Sequence, residues 1–169
     1  PGQFSNVSNC SIERFLDVVC KLREAIPSMR LSTDVIVGFP GETEEDFQLT
    51  KEAFAASGFE MGFIFKYSER TGTPAAEFAD KVPQRVKESR NQELLSLLGA
   101  QSLASNKRLV GTSMEVLVEG TARKGEGKLM GRTKCFRNVV FEGTTDLIGS
   151  LLDVRVVDAS ASTLSAENK

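Results

Sequence analysis

The sequence contains no histidine and no tryptophan, and it has a single tyrosine and three cysteines among 169 residues. Without histidine, the chain lacks the most common general base and metal ligand, and it can form neither a Ser–His nor a Cys–His dyad. Three unevenly spaced cysteines do not make a disulfide framework, which favours a reducing, cytoplasmic location. Any difficult chemistry that this chain serves therefore belongs to a cofactor or to residues outside it.

Long hydrophobic runs and a strong net charge are also lacking. No apolar run reaches the length of a membrane span and nothing at the N-terminus resembles a signal peptide, so we expect no membrane association. A net charge of -2 excludes a polybasic nucleic-acid-binding tail as a description of the whole chain. Cys10, Cys20 and Cys135 do not have metal-ligand spacing, so we predict no metal site in this chain. Cys20 lies in a helical amphipathic pattern and is predicted to be a buried thiol.

The first part of the chain alternates helix and strand signals. Residues 31–39 and 59–67 are apolar on both faces, which predicts two buried parallel strands. Between them, Thr43 and Asp46 have the spacing of a capping box, and Gly58 is a suitable C-terminal stop for the helix. Strand, helix and strand in this order predict a βαβ unit with a right-handed crossover. We also expect a first helix capped by Ser11 and a long helix running from Pro83 towards Val110.

The second part is predicted to be all-β. Glycines separate short runs that favour strands, at residues 114–118, 128–133, 138–141 and 151–157. Four or five short strands in so short a segment predict a small barrel of the OB-like type. The predicted fold class is therefore α/β plus all-β, with one domain at residues 1–110, a second at 111–160 and a frayed tail at 161–169.

Two segments follow the predicted parallel strands, where ligands bind in open α/β structures. These segments are Gly38–Glu42 and Lys66–Thr73. The glycines of the first would let backbone approach a ligand, although the same residues also fit a simple tight turn. Acidic residues in the first turn of the following helix disfavour a phosphate. A polar, zwitterionic or neutral ligand is the better expectation.

Residues 121–140 carry six cationic side chains against a single carboxylate. A basic face on an OB-like barrel is typical of RNA or single-strand binding, although a solvated charged surface would have the same sequence. Phe136 lies in this stretch and is compatible either with stacking on a base or with a place in the core. The sequence leaves both alternatives open.

Several motifs occur together in a fixed order, namely LSTDVIVGFPGETEEDF, FIFKYSERTGTPAA, VPQRVKESRNQELLSL and VLVEGTARKGEGKLMGRTKCFRNVVFEG. They resemble the C-terminal half of the radical SAM methylthiotransferases followed by their TRAM domain, most closely the branch that modifies tRNA. The resemblance implies the end of a partial (β/α) barrel, S-adenosylmethionine and two 4Fe–4S clusters. It also implies a tRNA anticodon stem-loop as partner, with a methylthio group added to a modified adenosine next to the anticodon.

The resemblance also implies site residues. In the family, the GFPGE motif and the end of the following strand line the S-adenosylmethionine pocket, which here corresponds to Gly38, Phe39, Pro40, Gly41, Glu42, Phe65, Lys66, Tyr67 and Ser68. RNA contact is expected in the basic stretch of the TRAM domain, at Arg123, Lys124, Lys128, Arg132, Thr133, Lys134 and Arg137. The cluster-binding cysteines of the family are missing, so we expect no catalytic residue here and no activity from this chain alone.

Two alternatives remain at this point. The sister branch of the family modifies an aspartate of a ribosomal protein, but a basic protein partner would favour an acidic TRAM face. The isolated chain would alternatively act as a noncatalytic RNA-binding module. We further predict that the strand around residues 35–37 has an open apolar edge, through which the chain could self-associate.

Overall fold

The computed structural model describes residues 11–168, and the chain divides into two compact units, residues 1–98 and 99–169. The division falls inside the long helix α3 (Gln84–Lys107), earlier than the boundary expected at residue 110. The last turns of α3 group with the second unit because Ser105 hydrogen-bonds Arg137, and Asn106 hydrogen-bonds the backbone of Ser160.

The first unit is a βαβ unit with additional helices. Its elements are α1 (Ile12–Ala25), β1 (Ser32–Val37), α2 (Glu44–Ser57), β2 (Met61–Lys66), a short 3-10 turn (Pro74–Glu77) and the first part of α3. β1 and β2 pair in parallel, with Val35 opposite Ile64. The predicted strand–helix–strand arrangement is confirmed.

Local signals set the helix ends, as the sequence predicted. The Ser11 hydroxyl accepts a hydrogen bond from the Arg14 amide at the start of α1. Thr43 and Asp46 form a reciprocal capping box at the start of α2, and Gly58 ends this helix with a left-handed φ of 60°. These contacts satisfy backbone groups that a helix end leaves unpaired.

The two strands are buried on one face only. The core of this unit packs against the side of the sheet that carries Val35, Val37 and Ile64. On the opposite side, Ile36, Phe63 and Phe65 are 48%, 60% and 51% exposed. The prediction of two fully buried strands is therefore wrong for this face. Among residues 11–168, the sheet has two strands and the helices cover one of its sides.

Cys20 is exposed on α1, and the prediction of a buried thiol is wrong because the neighbouring Val19 faces the core instead. Cys135 is half-buried, and Cys10 lies outside the described residues. Within residues 11–168, no cluster of three or more potential ligand side chains is suited to a metal ion. No helix in the described part of the chain is long and apolar enough to cross a membrane.

The second unit is a closed five-stranded barrel, and the predicted OB-like barrel is confirmed. Its strands are β3 (Ser113–Thr121), β4 (Lys128–Thr133), β5 (Asn138–Glu142), β6 (Leu151–Ala159) and β7 (Thr163–Asn168), with a 3-10 turn (Thr145–Leu147) before β6. The order around the barrel is β3-β4-β5-β7-β6, and β6 pairs with β3 to close it. β5 and β7 are parallel, and the other pairs are antiparallel.

The predicted frayed tail at residues 161–169 is wrong, because Thr163–Asn168 form β7. Leu164 is fully buried and Ala166 is 7% exposed, so the strand contributes alternate residues to the barrel core. β7 pairs with β5 on one side and β6 on the other. Without this strand the barrel would have two open edges.

Candidate functional site

The loop after β1 is held against α3 by a lysine. Gly38 has a φ of +71°, and a Cβ at this position would overlap the side chain of Lys87. Lys87 extends across the ends of both strands, and its Nζ donates a hydrogen bond to the Tyr67 carbonyl at 3.2 Å. Gly38 thus leaves room for the side chain of Lys87, which bridges the two predicted ligand-binding segments.

Glu42 is part of a buried ion pair. Its Oε1 lies 2.5 Å from Nη1 of Arg90, and both side chains are 6% exposed. The same carboxylate oxygen accepts a hydrogen bond from the Gly38 amide at 3.0 Å. Glu42 therefore shapes the loop from inside, and it is not oriented as a solvent-facing ligand.

Acidic residues at the start of α2 are stabilised in their charged form. Hydrogen bonds from the backbone and hydroxyl of Thr43 lower the pKa of the Asp46 carboxyl. Hydrogen bonds from Gln48, and secondarily from Arg90, lower the pKa of the Glu44 carboxyl. This concentration of negative charge disfavours an anion at the helix N-terminus.

Aromatic rings gather at the same end of the sheet. Phe39 packs edge-on against Tyr67 and Phe78, with ring centroids 5.2 and 6.2 Å apart. Within residues 11–168, no hydrogen-bond partner reaches the buried Tyr67 hydroxyl. Pro40 is buried, whereas Gly41 and Ser68 are exposed. A ligand at this end of the sheet would therefore meet a surface formed by aromatic rings.

The remaining predicted residues of β2 point elsewhere. Phe65 belongs to the exposed face of the sheet, where its ring stacks on Phe63 at 6.1 Å. Lys66 forms an ion pair with Glu88 of α3, with the charged atoms 3.5 Å apart. The structure therefore brings Gly38, Phe39 and Tyr67 together and directs these two side chains away from them.

Sequence reasoning gave the polar residues of α3 no role at this end of the sheet and considered Lys87 and Arg90 only as a possible extension of the basic track. Besides Lys87 and Arg90, Asn91 contributes by donating a hydrogen bond from Nδ2 to the Ile64 carbonyl at 2.8 Å. The three residues and the buried Leu94 share one face of the helix, since they are spaced three and four positions apart. This helical spacing is the sequence signal that could have identified these residues. A search for apolar residues at helical spacing does not find them, because they are polar.

The basic stretch of the barrel is distributed along β4. Arg123 and Lys124 are found in the loop before this strand, and Lys134 is exposed in the turn after it. Lys128 and Arg132 lie four residues apart on the outward face of β4, a separation of about 13 Å. The cations therefore form an extended track and not a single cluster.

Two of these cations have carboxylate partners on β3. Arg132 Nε lies 3.4 Å from Glu119, and Lys134 Nζ lies 2.9 Å from Glu115. The hydrogen bond to Glu115 raises the pKa of the Lys134 ammonium, whose side chain is nevertheless 85% exposed. Exposed ion pairs are weak, so a phosphate can compete with both carboxylates.

Thr133 and Arg137, two of the predicted RNA contacts, form hydrogen bonds within this barrel. Both are buried, at 6% and 8% exposure. The Arg137 guanidinium donates hydrogen bonds to Asn106 Oδ1 and, at 2.9 Å, to Ser105 Oγ. The Thr133 hydroxyl accepts a hydrogen bond from the Arg137 amide at 3.1 Å. These contacts fix the β4–β5 turn.

Phe136 lies in that turn and is 63% exposed, which decides against its placement in the core. The Arg132 guanidinium carbon lies 5.9 Å from the centroid of its ring. An exposed aromatic ring next to cations on a closed five-stranded barrel is a feature of single-strand nucleic-acid-binding surfaces.

A comparison with protein families gives one match to this barrel. Residues 107–168 match the model of the TRAM domain, so this part of the chain is similar to a TRAM domain. The match begins at the end of α3 and ends with β7, so it includes the strand that sequence reasoning took for a tail.

Similar curated proteins extend the comparison beyond the TRAM domain. The chain is 52% identical over 155 residues to tRNA-2-methylthio-N(6)-dimethylallyladenosine synthase of Opitutus terrae, covering 92% of this chain and 32% of the relative. Enzymes of the same name from Clostridium botulinum and Desulfitobacterium hafniense are 46% and 43% identical over the same length, covering 34% and 35% of each relative.

The chain thus spans about a third of the length of these curated relatives and matches their C-terminal part. The predicted resemblance to the C-terminal part of the methylthiotransferases is confirmed.

Proposed function

We propose that this chain is the C-terminal part of a tRNA methylthiotransferase that adds a methylthio group to a modified adenosine next to the anticodon. The observation that carries this proposal is the 42–52% identity to enzymes of that name across most of the chain, ending in a TRAM domain. The ligands of the iron–sulfur clusters lie outside this chain in the proposal, so the chain alone is inactive. The proposed location is the cytoplasm.

The first unit is, in this proposal, the end of a radical SAM partial barrel. Support comes from the parallel pair β1 and β2 joined through α2, which is the repeating unit of such barrels. The exposed apolar side of the sheet, at Ile36, Phe63 and Phe65, is the side that further strands would cover in a closed or partial barrel.

The residues after β1 and β2 fit S-adenosylmethionine in part. Gly41 is exposed and has open space where a side chain would be, and the aromatic rings of Phe39 and Tyr67 offer a surface for adenine. The Tyr67 hydroxyl is buried and has no hydrogen-bond partner within residues 11–168, so a polar group of the cofactor would reach it only if neighbouring side chains shifted. Ser68 is exposed and completes the proposed contact surface, and the buried Gly38 and Pro40 fix the backbone of the loop next to it. Glu42 supports this loop from the interior, and Phe65 and Lys66 contribute backbone.

The protein's own contribution at this site is to hold backbone in place. The chemistry supplied by the bound cofactors is hydrogen abstraction from the adenosine and delivery of the methylthio group. Lys87 ties the end of β2 to α3, and Arg90 together with Glu42 fixes the loop after β1. A loop held in this way keeps its geometry when the cofactor binds, which reduces the entropic cost of binding.

The TRAM domain supplies affinity for the anticodon stem-loop. Arg123, Lys124, Lys128, Arg132 and Lys134 provide a cationic track along β4 for phosphates. Phosphate contacts release counterions, so binding through this track depends strongly on salt concentration.

The test is RNA binding by this chain, measured by fluorescence anisotropy with an anticodon stem-loop over a range of salt concentrations. We expect the double variant Arg123→Ala/Lys124→Ala and the single variant Lys134→Ala to bind more weakly. The slope of log affinity against log salt should fall by about 0.7–0.9 for each phosphate that the variant no longer neutralises.

A matched control removes two exposed cations from the first unit, Lys21→Ala/Arg85→Ala, and so lowers the net charge by the same amount as the double variant. Its salt slope should equal that of the unchanged chain. Binding that does not respond to salt, or an equal loss of affinity in the control, would contradict the proposed RNA-binding track.

A further inference from the structure

Phe136 adopts a backbone conformation that its residue type disfavours. Its φ is +60°, and it is the only non-glycine residue with a positive φ in the described part of the chain. The left-handed region is sterically unfavourable for a bulky side chain, whereas glycine and asparagine adopt it readily. Backbone strain of this kind concentrates at functional sites.

The surrounding turn enforces this conformation. The Phe136 amide donates a hydrogen bond to the Thr133 carbonyl at 2.9 Å, and the Thr133 amide donates one to the Arg137 carbonyl at 3.0 Å. Arg137 is itself anchored by Ser105 and Asn106. The turn therefore holds the phenyl ring in a fixed position. The turn itself requires only a residue that tolerates a positive φ, and it does not require a phenylalanine.

The ring also gains little from the folded barrel, because 63% of the residue is exposed. An exposed ring contributes little to stability and a strained backbone lowers it, so neither feature is explained by the fold. Neighbouring exposed residues extend the surface: Leu117 is the cross-strand neighbour of Arg132, and Leu151 is the cross-strand neighbour of Leu117. Leu117 and Leu151 are 43% and 61% exposed.

The charged groups around this surface indicate the kind of ligand. Arg132 lies over the ring, and Lys134 extends into solvent two residues before it. An aromatic ring flanked by an arginine and a lysine matches a ligand that has a flat π-system and a nearby negative charge. An unpaired nucleotide has both, since its base stacks and its phosphate attracts the cations.

We propose that Phe136 and Arg132 form a stacking site for one unpaired base of the RNA that this TRAM domain binds. The proposal rests on the proposed function and adds a contact that is specific for single-stranded RNA. When the nucleotide is bound, Arg132 and Lys134 exchange their carboxylate partners, Glu119 and Glu115, for the phosphate.

The test is the substitution Phe136→Asn, which removes the ring and at the same time relieves the backbone strain. We expect its melting temperature to equal or exceed that of the unchanged chain. Its affinity for a stem-loop with an unpaired loop should fall about 5- to 150-fold, the range typical of losing one base–aromatic stack. Its salt slope should stay unchanged, because every cation of the track is retained.

Four comparisons make the result specific. Phe136→Trp should retain the affinity, and Val157→Asn, which alters another exposed apolar residue of the same barrel, should not reduce it. A 2-aminopurine base in the RNA loop should be quenched by the unchanged chain and less so by Phe136→Asn. A fully paired RNA duplex should bind both proteins equally.

The outcomes separate this proposal from the proposed function. If Phe136→Asn binds loop RNA as tightly as the unchanged chain while Arg123→Ala/Lys124→Ala binds weakly, the stacking site is refuted and the RNA-binding track stands. If the substitution weakens binding of an acidic peptide but not of RNA, Phe136 belongs to a protein interface and the proposal is refuted. If the unchanged chain binds no RNA, the proposed function itself fails.

Discussion

The side chains of Arg90 and Glu42 meet in the interior of the first unit, each 6% exposed. The Arg90 guanidinium also lies 5.1 Å from the ring centroid of Phe47, and its second amino group lies 3.1 Å from Glu44. A buried charge is tolerated only when it is paired and hydrogen-bonded. This pair therefore couples α3 to the loop after β1, where the cofactor is proposed to bind.

Replacing Arg90 with methionine should destabilise the first unit by about 3–5 kcal/mol, because the carboxylate of Glu42 would remain buried without its partner. Urea denaturation monitored by hydrogen exchange of amides in β1 and α2 would measure this change. The control Lys21→Met breaks the exposed pair with Asp17, whose side chains are 70% and 54% exposed, and should cost about 0.5 kcal/mol or less. Equal effects of the two substitutions would contradict the structural role of Arg90.

Sequence reasoning located the motif around Glu42 but not the ion pair that Glu42 forms with Arg90. The GFPGE segment was recognised as following a strand because the strand and the glycines are local signals. The partner of Glu42 is 48 positions away in the chain, and no local pattern connects the two residues. The contacts of Arg137 were not predictable for the same reason, since its partners Ser105 and Asn106 lie on α3.

At the scale of elements, the sequence predicted what is determined locally. The capping box of α2 and its glycine stop were predictable because the groups involved are within a few residues of each other. β7 was not, because its alternation of Leu164 and Ala166 with small polar residues is weak. Its strand conformation depends on pairing with β5 and β6, between which it lies in the barrel.

The substitution Leu164→Ser should destabilise the barrel by more than about 3 kcal/mol, because it both leaves a cavity and buries a hydroxyl in the apolar core. Leu164 is fully buried with Val116, Val139 and Val154 in one cluster. The neighbouring substitution Ser165→Ala, on the exposed side of the same strand, should change stability by about 0.5 kcal/mol or less. Thermal unfolding of both variants would measure the difference, and similar melting temperatures would mean that β7 is not part of the barrel core.

At the scale of the whole molecule, the sheet of the first unit has an uncovered apolar side. The exposed residues Ile36, Phe63 and Phe65 lie on adjacent parallel strands, and β1 has a single strand partner within residues 11–168. The relatives are about three times as long as this chain, so in the proposed enzyme further strands would cover this surface. Alone, the chain exposes both an apolar face and an open strand edge, a combination that favours pairing between copies.

We therefore predict that this chain self-associates through the sheet face, and that its average mass in sedimentation velocity rises with protein concentration. The double variant Phe63→Ser/Phe65→Ser should remain monomeric at concentrations where the unchanged chain associates, because it removes the two most exposed rings of the face. Phe78→Ser is the matched control, since Phe78 is also exposed, at 46%, but lies outside the sheet. Circular dichroism would verify that each variant is folded. A chain that stays monomeric at every concentration would contradict the predicted self-association. A double variant that associates as strongly as the control would show that the face does not drive association and would indicate the edge of β1 instead.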